Sequence, residues 1–198
     1  MTKIAIIGSG GHTRSLTNLL LAYFNRQDIC IYDDSFVKGE KEMINSIPLT
    51  GCIDEIKSDQ NIFLSIGDNN LRKKYFLRFK NQIMNDSIFH KHSLQEKNTI
   101  FGVANQVFAH SYINSQVVIG DNNIINTGAI IEHETTIGNH NHISIGTKIC
   151  GNVAIGNMCL IGAGAVILDK LSICNNVNIG AGSVVIRDIN DPGTYVGN

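Results

Sequence analysis

The segment Asn126 to Glu134 contains the residues best suited to acid–base chemistry. Within it, His133 stands between two carboxylates, Glu132 and Glu134. A carboxylate bound to one imidazole nitrogen fixes the tautomer of the ring and leaves the other nitrogen to accept a proton. Gly151 follows His133 by 18 residues. In a repeat of that length, its backbone N–H would lie beside the imidazole and could stabilise an oxyanion.

Three polar clusters in the first part of the chain could bind a phosphate or a sugar. The first, Gly8 to His12, begins like a GxGxxG fingerprint, but Thr13 replaces the third glycine. Such a turn receives a phosphate on its N–H groups or serves only as a tight strand-to-helix connection. Asp33 with Asp34 would suit sugar hydroxyls or a uracil N–H, or form a solvated turn. The third cluster is Gly67 to Asn69.

Metal-binding patterns are absent from the sequence. His133, His140 and His142 are close in sequence but take different positions in a six-residue repeat, so their side chains should point apart, and we expect no metal site. The five cysteines have no CxxC or CxxH spacing, and most have apolar neighbours. We therefore expect buried, reduced thiols.

An apolar residue recurs every six positions through the second half of the chain. Isoleucine holds each of these positions from Ile113 to Ile179, with Phe101 and Val107 before them and Val185 after them. No helix has this period, and an amphipathic strand would alternate every two residues. The column predicts a solenoid of hexapeptide repeats with the isoleucines inside. Fifteen hexads, at three per coil, predict five coils.

The first eighty-odd residues follow a different pattern. Apolar runs at 3–7, 29–32 and 61–66 predict strands, and residues 13–24 and 70–84 predict helices. This alternation indicates a small parallel α/β sheet. Each polar cluster follows one of the strands, and ligands of such sheets bind outside the carboxyl ends. The second helix is rich in lysine and arginine, and we expect those side chains to form a solvated face.

The composition excludes several classes of partner. Sixteen Lys+Arg balance 17 Asp+Glu, which gives a formal net charge of −1 and a pI near 6.6. Without a broad positive field, nucleic acid and anionic membranes are not expected as main partners. The N-terminal apolar run stops at Gly8, too short for a signal peptide or a membrane span, which predicts a cytoplasmic protein.

Several segments together resemble one family. They are GSGGH, YDD, IGDNNLRKK, NTGAIIEHETTIG, HISIG and CGNVAIG. The chain resembles the bacterial nucleotide-sugar acetyltransferases of the sialic-acid O-acetyltransferase group, and most of all the UDP-4-amino-sugar N-acetyltransferases of the N,N'-diacetylbacillosamine pathway. The resemblance implies a Rossmann-like UDP-sugar-binding domain over 1–86 and a left-handed β-helix acetyltransferase domain over 87–198. Left-handedness comes from the resemblance, since parallel crossovers are otherwise right-handed.

The resemblance also implies an activity and an assembly. Family members transfer acetyl from acetyl-CoA to the 4-amino group of a UDP-linked 4-amino-4,6-dideoxy sugar, as homotrimers with active sites between neighbouring prisms. His133 resembles their general base and Glu134 the carboxylate that supports it. The positions resembling the UDP-sugar pocket are Gly10, Gly11, His12, Asp33, Asp34 and Gly67. The positions where the family contacts coenzyme A are His142, Gly151, Ala163 and Ala181.

The sequence departs from the family at two points and leaves two other functions open. Thr13 stands where relatives often keep a small residue, and a Pro-Ala-containing tail that contacts coenzyme A is not seen before Asn198. One alternative is O-acetylation of a sialic acid, whose carboxylate would need a basic residue near His133, where the hexads carry only Lys148 and Lys170. The other is a non-catalytic nucleotide-sugar-binding scaffold, which would bind UDP without releasing a thiol.

Overall fold

The computed structural model describes residues 3–39 and 42–197 and divides the chain into two units, Met1–Asn85 and Asp86–Asn198. The first unit alternates strands with helices. Its elements are β1 (Lys3–Ile7), α1 (Gly11–Leu20), β2 (Ile29–Tyr32), β3 (Met43–Ile44), β4 (Ile47–Gly51), β5 (Gln60–Leu64) and α2 (Asn69–Arg78), with 3₁₀ turns at Arg26–Asp28 and Ile53–Glu55.

The sheet of the first unit is mixed, with strand order β3-β4-β2-β1-β5. Its four longer strands are parallel. Three of them, β1, β2 and β5, correspond to the predicted strands, whereas β4 was not predicted, and β3 pairs antiparallel with β4 at one edge. The prediction missed this hairpin because β3 has only two residues and Pro48 in β4 lacks an N–H for the ladder. Asn45 and Ser46 make the turn in the left-handed conformation.

The two helices bury different kinds of residue. Helix α1 buries Leu16, Leu19 and Leu20, as its apolar spacing predicts. Helix α2 instead buries the polar side chain of Arg72, so the expectation of a wholly solvated basic face is wrong at that residue. Both helices are ten residues long, shorter than predicted. No helix within 3–39 and 42–197 is long and apolar enough to cross a membrane.

The second unit is a parallel β-solenoid. Its strands are β6 (Ile88–Phe89), β7 (Leu94–Gln95), β8 (Ile100–Phe101), β9 (Gln106–Val107), β10 (Tyr112–Ile113), β11 (Val118–Ile119), β12 (Ile124–Ile125), β13 (Ile130–Ile131), β14 (Thr136–Ile137), β15 (His142–Ile143), β16 (Lys148–Ile149), β17 (Ala154–Ile155), β18 (Leu160–Ile161), β19 (Val166–Ile167), β20 (Ser172–Ile173), β21 (Val177–Ile179), β22 (Val184–Val185) and β23 (Gly193–Tyr195).

Three sheets form the three faces of this prism. The first face contains β6, β9, β12, β15, β18, β21 and β23; the second contains β7, β10, β13, β16, β19 and β22; the third contains β8, β11, β14, β17 and β20. Partners on one face lie 18 residues apart from β6 to β22, as in Ile113 beside Ile131, and 16 residues apart in the last pair, β21 with β23. We name the turns after the strands of each face the first, second and third corner.

The isoleucine column forms the core of the solenoid, and every isoleucine of it is buried. The predicted fold class, a small α/β sheet followed by a left-handed β-helix of hexapeptide repeats, is confirmed. The strands of the solenoid begin at Ile88, two strands before Phe101, where the apolar column starts, so the first coil also contains β6 and β7. The apolar column did not indicate β7 because Gln95, a polar residue, occupies the column there.

Each hexad turns at the same place. The third residue after the column position has a positive φ in every hexad from Asn98 to Gly182. Valine, isoleucine and threonine, which tolerate this conformation poorly, never occupy that position. At the third corner, Asn157 Oδ1 accepts from Asn139 N at 2.7 Å, and like bonds repeat in neighbouring coils. These bonds tie successive coils together.

Candidate active site

His133 and Glu134 form a hydrogen-bonded pair in the turn after β13, at the second corner. His133 Nδ1 lies 3.1 Å from Glu134 Oε2. Because an ionised carboxylate can only accept, Nδ1 carries the proton and Nε2 is left as the acceptor. The two side chains are 56% and 55% exposed within the single chain. The pair is therefore reachable from outside the prism.

The second carboxylate beside His133 has a different partner. Glu132 Oε2 accepts a hydrogen bond of 2.5 Å from Asn114 Nδ2, one coil below. The sequence could not choose between Glu132 and Glu134 as the partner of the imidazole. The structure places Glu134 in that role, because its left-handed backbone turns the side chain back towards the ring.

Gly151 lies one coil above His133, as the repeat predicts. Asn152 N donates to His133 O at 2.8 Å, which fixes the two turns against each other. A Cβ built on Gly151 would lie 2.7 Å from both Cε1 and Nε2 of His133. Within the described part of the chain, the Gly151 N–H donates no hydrogen bond. The turn thus places a main-chain donor beside a proton acceptor.

Ala163 and Ala181 lie in consecutive coils of the first corner, both exposed. Neither backbone N–H has an acceptor among residues 3–39 and 42–197. The next position in each of four coils is a glycine: Gly128, Gly146, Gly164 and Gly182. A Cβ on any of the last three would meet nothing within 4 Å. This glycine column leaves an open strip along the first corner.

The positive φ alone does not account for the glycine column. At the other two corners the same turn position holds residues such as Asn152, Glu134 and Met158, with φ between 57° and 62°. Glycine is therefore replaceable by larger residues where only the turn is required. At the first corner the absence of side chains instead leaves room for something outside the chain.

His142 lies on the first face, in β15, and is half-buried. The Asn126 side-chain amide donates to its Nε2 at 3.3 Å. Since Asn126 begins the first corner, His142 lies beside the strip that contains Ala163 and Ala181. His133 and Gly151 lie at the second corner. The solenoid thus holds the predicted acetyl-transfer residues in two groups, which the single chain does not bring together.

In the first unit, the turn from Gly8 to His12 packs closely against a neighbouring strand at Gly8 and is open to the outside at Gly10 and Gly11. Gly8 has φ 112°, and a Cβ there would lie 2.6 Å from Ser65 O at the end of the neighbouring strand. Gly10 and Gly11 have open space where their side chains would be. Gly10 caps α1 with no side-chain bond, and the first turn, which includes His12, has no acidic residue. The start of α1 is thus suited to an anion.

Thr13, the departure from the glycine fingerprint, supports this turn. Its side chain is fully buried, and Oγ1 donates to Gly8 O at 2.8 Å. The hydroxyl thereby ties the first residue of the turn to the first full turn of α1. The substitution stabilises the turn and leaves Gly10 and Gly11 open.

Asp33 and Asp34 differ in their contacts. Asp33 accepts from Ser9 N at 2.7 Å and from Ser35 N at 2.9 Å, so it joins the glycine turn to the end of β2. Burial alone would raise the pKa of Asp33, but hydrogen bonds from Ser35 and Ser9 outweigh it, and the pKa lies below its ordinary value. Asp34 is exposed and accepts from Ile53 N and Tyr75 Oη, each at 3.3 Å.

Gly67 belongs to the loop that follows β5, at the same edge of the sheet. Its carbonyl oxygen accepts from Arg72 at 3.1 Å. Asp68 caps α2 by accepting from Leu71 N at 2.7 Å, so this helix start already has its own carboxylate. The contacts of Arg72 and Tyr75 to this edge were missed in the sequence. The sequence feature that could have indicated these contacts is the three-residue spacing of the polar residues Asn69, Arg72 and Tyr75, which places them on one face of the helix.

Nothing in the described ranges resembles a metal centre. No three His, Cys, Asp or Glu side chains within 3–39 and 42–197 converge on a point. His140 lies at the third corner, away from His133, and its Nδ1 is 2.9 Å from Asn122 Nδ2.

Comparison with known proteins relates both units to sugar acetyltransferases. Residues 3–79 match the family model described as the PglD N-terminal domain. The search of curated protein sequences gave no significant match. Among solved structures, the acetyltransferase domain of PglB from Neisseria gonorrhoeae FA1090 is similar, with 26% identity, a TM-score of 0.90, and coverage of 100% of this chain and 97% of that chain.

Two further matches were solved with ligands. The same PglB domain in complex with acetyl coenzyme A is 27% identical, with a TM-score of 0.89 and coverage of 98% and 96% of the two chains. PerB from Caulobacter crescentus, in complex with CoA and GDP-perosamine, is 25% identical, with a TM-score of 0.86 and coverage of 100% and 95%. The chain therefore combines a PglD-like N-terminal unit with a hexapeptide-repeat β-helix, and it is similar over its whole length to these sugar acetyltransferases.

Proposed function

We propose that this chain is a cytoplasmic, acetyl-CoA-dependent N-acetyltransferase acting on the 4-amino group of a UDP-linked 4-amino-4,6-dideoxy sugar in bacterial glycan biosynthesis. One observation carries the proposal: the His133 ring packs on Gly151 while Glu134 binds its Nδ1. Acyl transfer to an amine needs a proton acceptor and an oxyanion donor side by side. The matched structures with acetyl-CoA and with GDP-perosamine support this class of donor and acceptor.

The chemistry is a direct transfer without an acyl-enzyme. The amine nitrogen attacks the thioester carbonyl, and His133 Nε2 takes a proton from that nitrogen as the C–N bond forms. Glu134 stabilises the resulting imidazolium, and the Gly151 N–H donates to the oxyanion. Collapse breaks the C–S bond, and the imidazolium returns its proton to the leaving thiolate. The base contributes about 10²–10⁴-fold to the rate.

The first corner is the proposed track for coenzyme A. The glycine column leaves a strip without side chains, and the N–H groups of Ala163 and Ala181 border it. An extended pantetheine arm with two amides can accept from such main-chain donors as it passes successive coils. His142, beside this strip, would contact the same molecule. The small methyl side chains of Ala163 and Ala181 are compatible with main-chain contacts.

A homotrimer would join the two groups of residues. One prism holds the base at its second corner and the glycine strip at its first corner, and both are exposed. A neighbouring copy related by a threefold axis can bring its own first corner to the second corner of this chain. Three equivalent sites would then form between prisms, and each would shield a His133–Glu134 pair from water. This packing is the proposed assembly.

The first unit is the proposed nucleotide-sugar site. The start of α1, at Gly10, Gly11 and His12, would receive the diphosphate on its N–H groups. Asp34 is exposed and would accept from sugar hydroxyls or the base, while Asp33 holds the turn in shape. Gly67 would contribute main chain from the next loop. The similar PerB structure contains GDP-perosamine, so the identity of the nucleotide must be tested as well as that of the sugar.

A single assay tests the proposal. The chain is mixed with acetyl-CoA and a panel of acceptors, which comprises UDP- and GDP-linked 4-amino sugars and sialic acid, and free thiol is monitored; UDP binding is measured in parallel. We expect thiol release with a UDP-linked 4-amino-4,6-dideoxy sugar. Release only with a GDP-linked sugar would correct the nucleotide, and release only with sialic acid would support O-acetylation. UDP binding without thiol release from any acceptor would indicate a non-catalytic scaffold and overturn the proposal.

A further inference from the structure

The buried face of α2 is polar. Asn69, Arg72 and Tyr75 are 9%, 0% and 6% exposed, and their spacing places them on one side of the helix. Arg72 is the largest fully buried side chain of the described residues. A buried arginine is costly to desolvate, and well-packed hydrophobic residues of similar volume often replace buried charged groups without loss of stability. The hydrogen bonds of Arg72 indicate what the charged group does at this position.

Arg72 binds the loop that follows β5. One guanidinium nitrogen, Nη1, donates to Ile66 O at 3.0 Å and to Gly67 O at 3.1 Å. The other, Nη2, donates to Asn69 Oδ1 at 2.7 Å. Burial lowers the pKa of Arg72 to about 10, so the group remains charged at neutral pH. The planar fork thus binds two carbonyl groups of the loop and the Asn69 side chain at the start of α2, which a lysine ammonium could not reach together.

Tyr75, one turn further along α2, binds the end of β2. Its hydroxyl donates to Asp34 Oδ2 at 3.3 Å, while Asp34 Oδ1 accepts from Ile53 N. Burial raises the pKa of Tyr75, and the negative charge of Asp34 adds to the shift, so the hydroxyl stays protonated. An exposed carboxylate is therefore oriented by a buried donor.

We propose that Arg72 and Tyr75 are positioning residues for the nucleotide-sugar site, with α2 holding both the Gly67 loop and the Asp34 carboxylate in their binding geometry. The inference rests on the proposed function, since it assigns a purpose to contacts at the edge where that ligand would bind. A single helix thereby sets the spacing between two of the three loops at the carboxyl edge of the sheet. Neither residue needs to touch the ligand.

The direct test is Tyr75→Phe, which removes one hydroxyl and keeps the ring. Without the Tyr75 hydroxyl, Asp34 keeps only the hydrogen bond from Ile53 N to Oδ1, so its Oδ2 should lose its fixed position. We expect the KM for the nucleotide sugar, and the Kd for UDP or GDP alone, to rise about tenfold. The kcat and the KM for acetyl-CoA should stay within about twofold, because the solenoid is untouched.

Tyr32→Phe is the matched control. Tyr32 is also buried in the first unit, but its hydroxyl donates to Gln60 Oε1 at 3.2 Å, away from Asp34. If Tyr75 has only a structural role, both variants should lower the melting temperature, and the nucleotide Kd of Tyr75→Phe should equal that of Tyr32→Phe. That result would overturn the inference. Arg72→Lys is the second variant; if it folds, the nucleotide Kd should rise while kcat is kept.

The wild-type measurement separates the two proposals. If the wild type binds neither UDP nor GDP, the nucleotide site itself is wrong, and the role of α2 is withdrawn with it. If the wild type binds one of them and Tyr75→Phe binds equally well, only the positioning role is contradicted. If Tyr75→Phe alone weakens nucleotide binding without altering acetyl-CoA kinetics, the positioning role is supported.

Discussion

The imidazole of His133 occupies the space in which a side chain at residue 151 would lie. A Cβ on Gly151 would be 2.7 Å from Cε1 and Nε2 and 3.2 Å from Nδ1 of that ring. The backbone of Gly151 does not have a positive φ, so its conformation is open to other residues. The glycine is therefore required by the neighbouring histidine and not by the turn.

Gly151→Ala should displace the imidazole while leaving the solenoid intact. The ring is exposed and can move, so we expect a change in unfolding free energy of less than about 1 kcal/mol. Moving a catalytic group by about an ångström costs on the order of 10²-fold in kcat. Thiol release and thermal unfolding measure the two effects. Asp169→Ala, one coil above Gly151, is the control and should keep kcat; equal activity in both variants would contradict the stacking role.

Gly164→Asn should weaken acetyl-CoA binding without harming the fold. Asparagine holds the same turn position at Asn152 and Asn176, with φ of 57° and 60° against 68° at Gly164. We therefore expect a stability change within about 0.5 kcal/mol. A side chain on the glycine strip should raise the KM for acetyl-CoA about tenfold or more. Met158→Asn, at the third corner, should leave that KM unchanged; a Gly164 variant with unaltered KM would place the track elsewhere.

Gly138→Ala should destabilise the solenoid. Its Cβ would lie 2.7 Å from Gly156 O and 2.5 Å from Asn157 Oδ1, so the coil above would have to move. Overpacking of this kind costs about 1–3 kcal/mol. Urea unfolding followed by circular dichroism measures the loss, with exposed Thr136→Ala as the control. Equal midpoints for the two variants would show that the corner yields more easily than the contacts suggest.

The repeat made the solenoid predictable because its period and its packing have the same cause. Each coil must place an apolar residue inside, and Ile131 and Ile149 therefore share a face and a spacing. The stacking of His133 and Gly151 followed from the same spacing. Strands β6 and β7 were missed because Gln95 interrupts the apolar column, although β7 still pairs with β10 of the next coil.

The choice of contacts within the first unit could not be predicted in the same way. Burial of Arg72 depends on how the loop after β5 folds over α2, and no periodic pattern encodes that loop. The β3–β4 hairpin was likewise hidden by Pro48 and by very short strands. Local polarity indicated that Asp33 and Asp34 follow a strand, but only tertiary contacts show that Asp33 holds Ser9.

The stability of the first coil should depend on pH through His90. Its Nδ1 accepts from His92 N at 3.1 Å, and the rings of His92 and His110 stack with centroids 5.9 Å apart. Burial lowers the pKa of His90, and His92, His110 and Lys91 lower it further. The unfolded chain, with the ordinary value of 6.5, then binds more protons. The contribution of His90 to the free energy of unfolding is therefore complete above pH 6.5 and falls as the pH drops towards the pKa of His90 in the folded protein.

His110→Gln tests this dependence. Glutamine already holds the equivalent turn position at Gln116, so the fold should accept it. Removing one positive neighbour should raise the pKa of His90 and make the loss of stability below pH 6.5 shallower. Melting temperatures measured across that range give the slope. An unchanged slope would show that the histidine neighbours have no influence on His90.

The most direct test of the account is the turnover number of His133→Ala, measured as thiol release from acetyl-CoA with the best acceptor sugar. We expect a fall in kcat of about 10²–10⁴-fold, with the Kd for acetyl-CoA and the oligomeric state unchanged. A His133→Ala protein that assembles like the wild type and keeps near wild-type kcat would contradict the assignment of His133 as the general base.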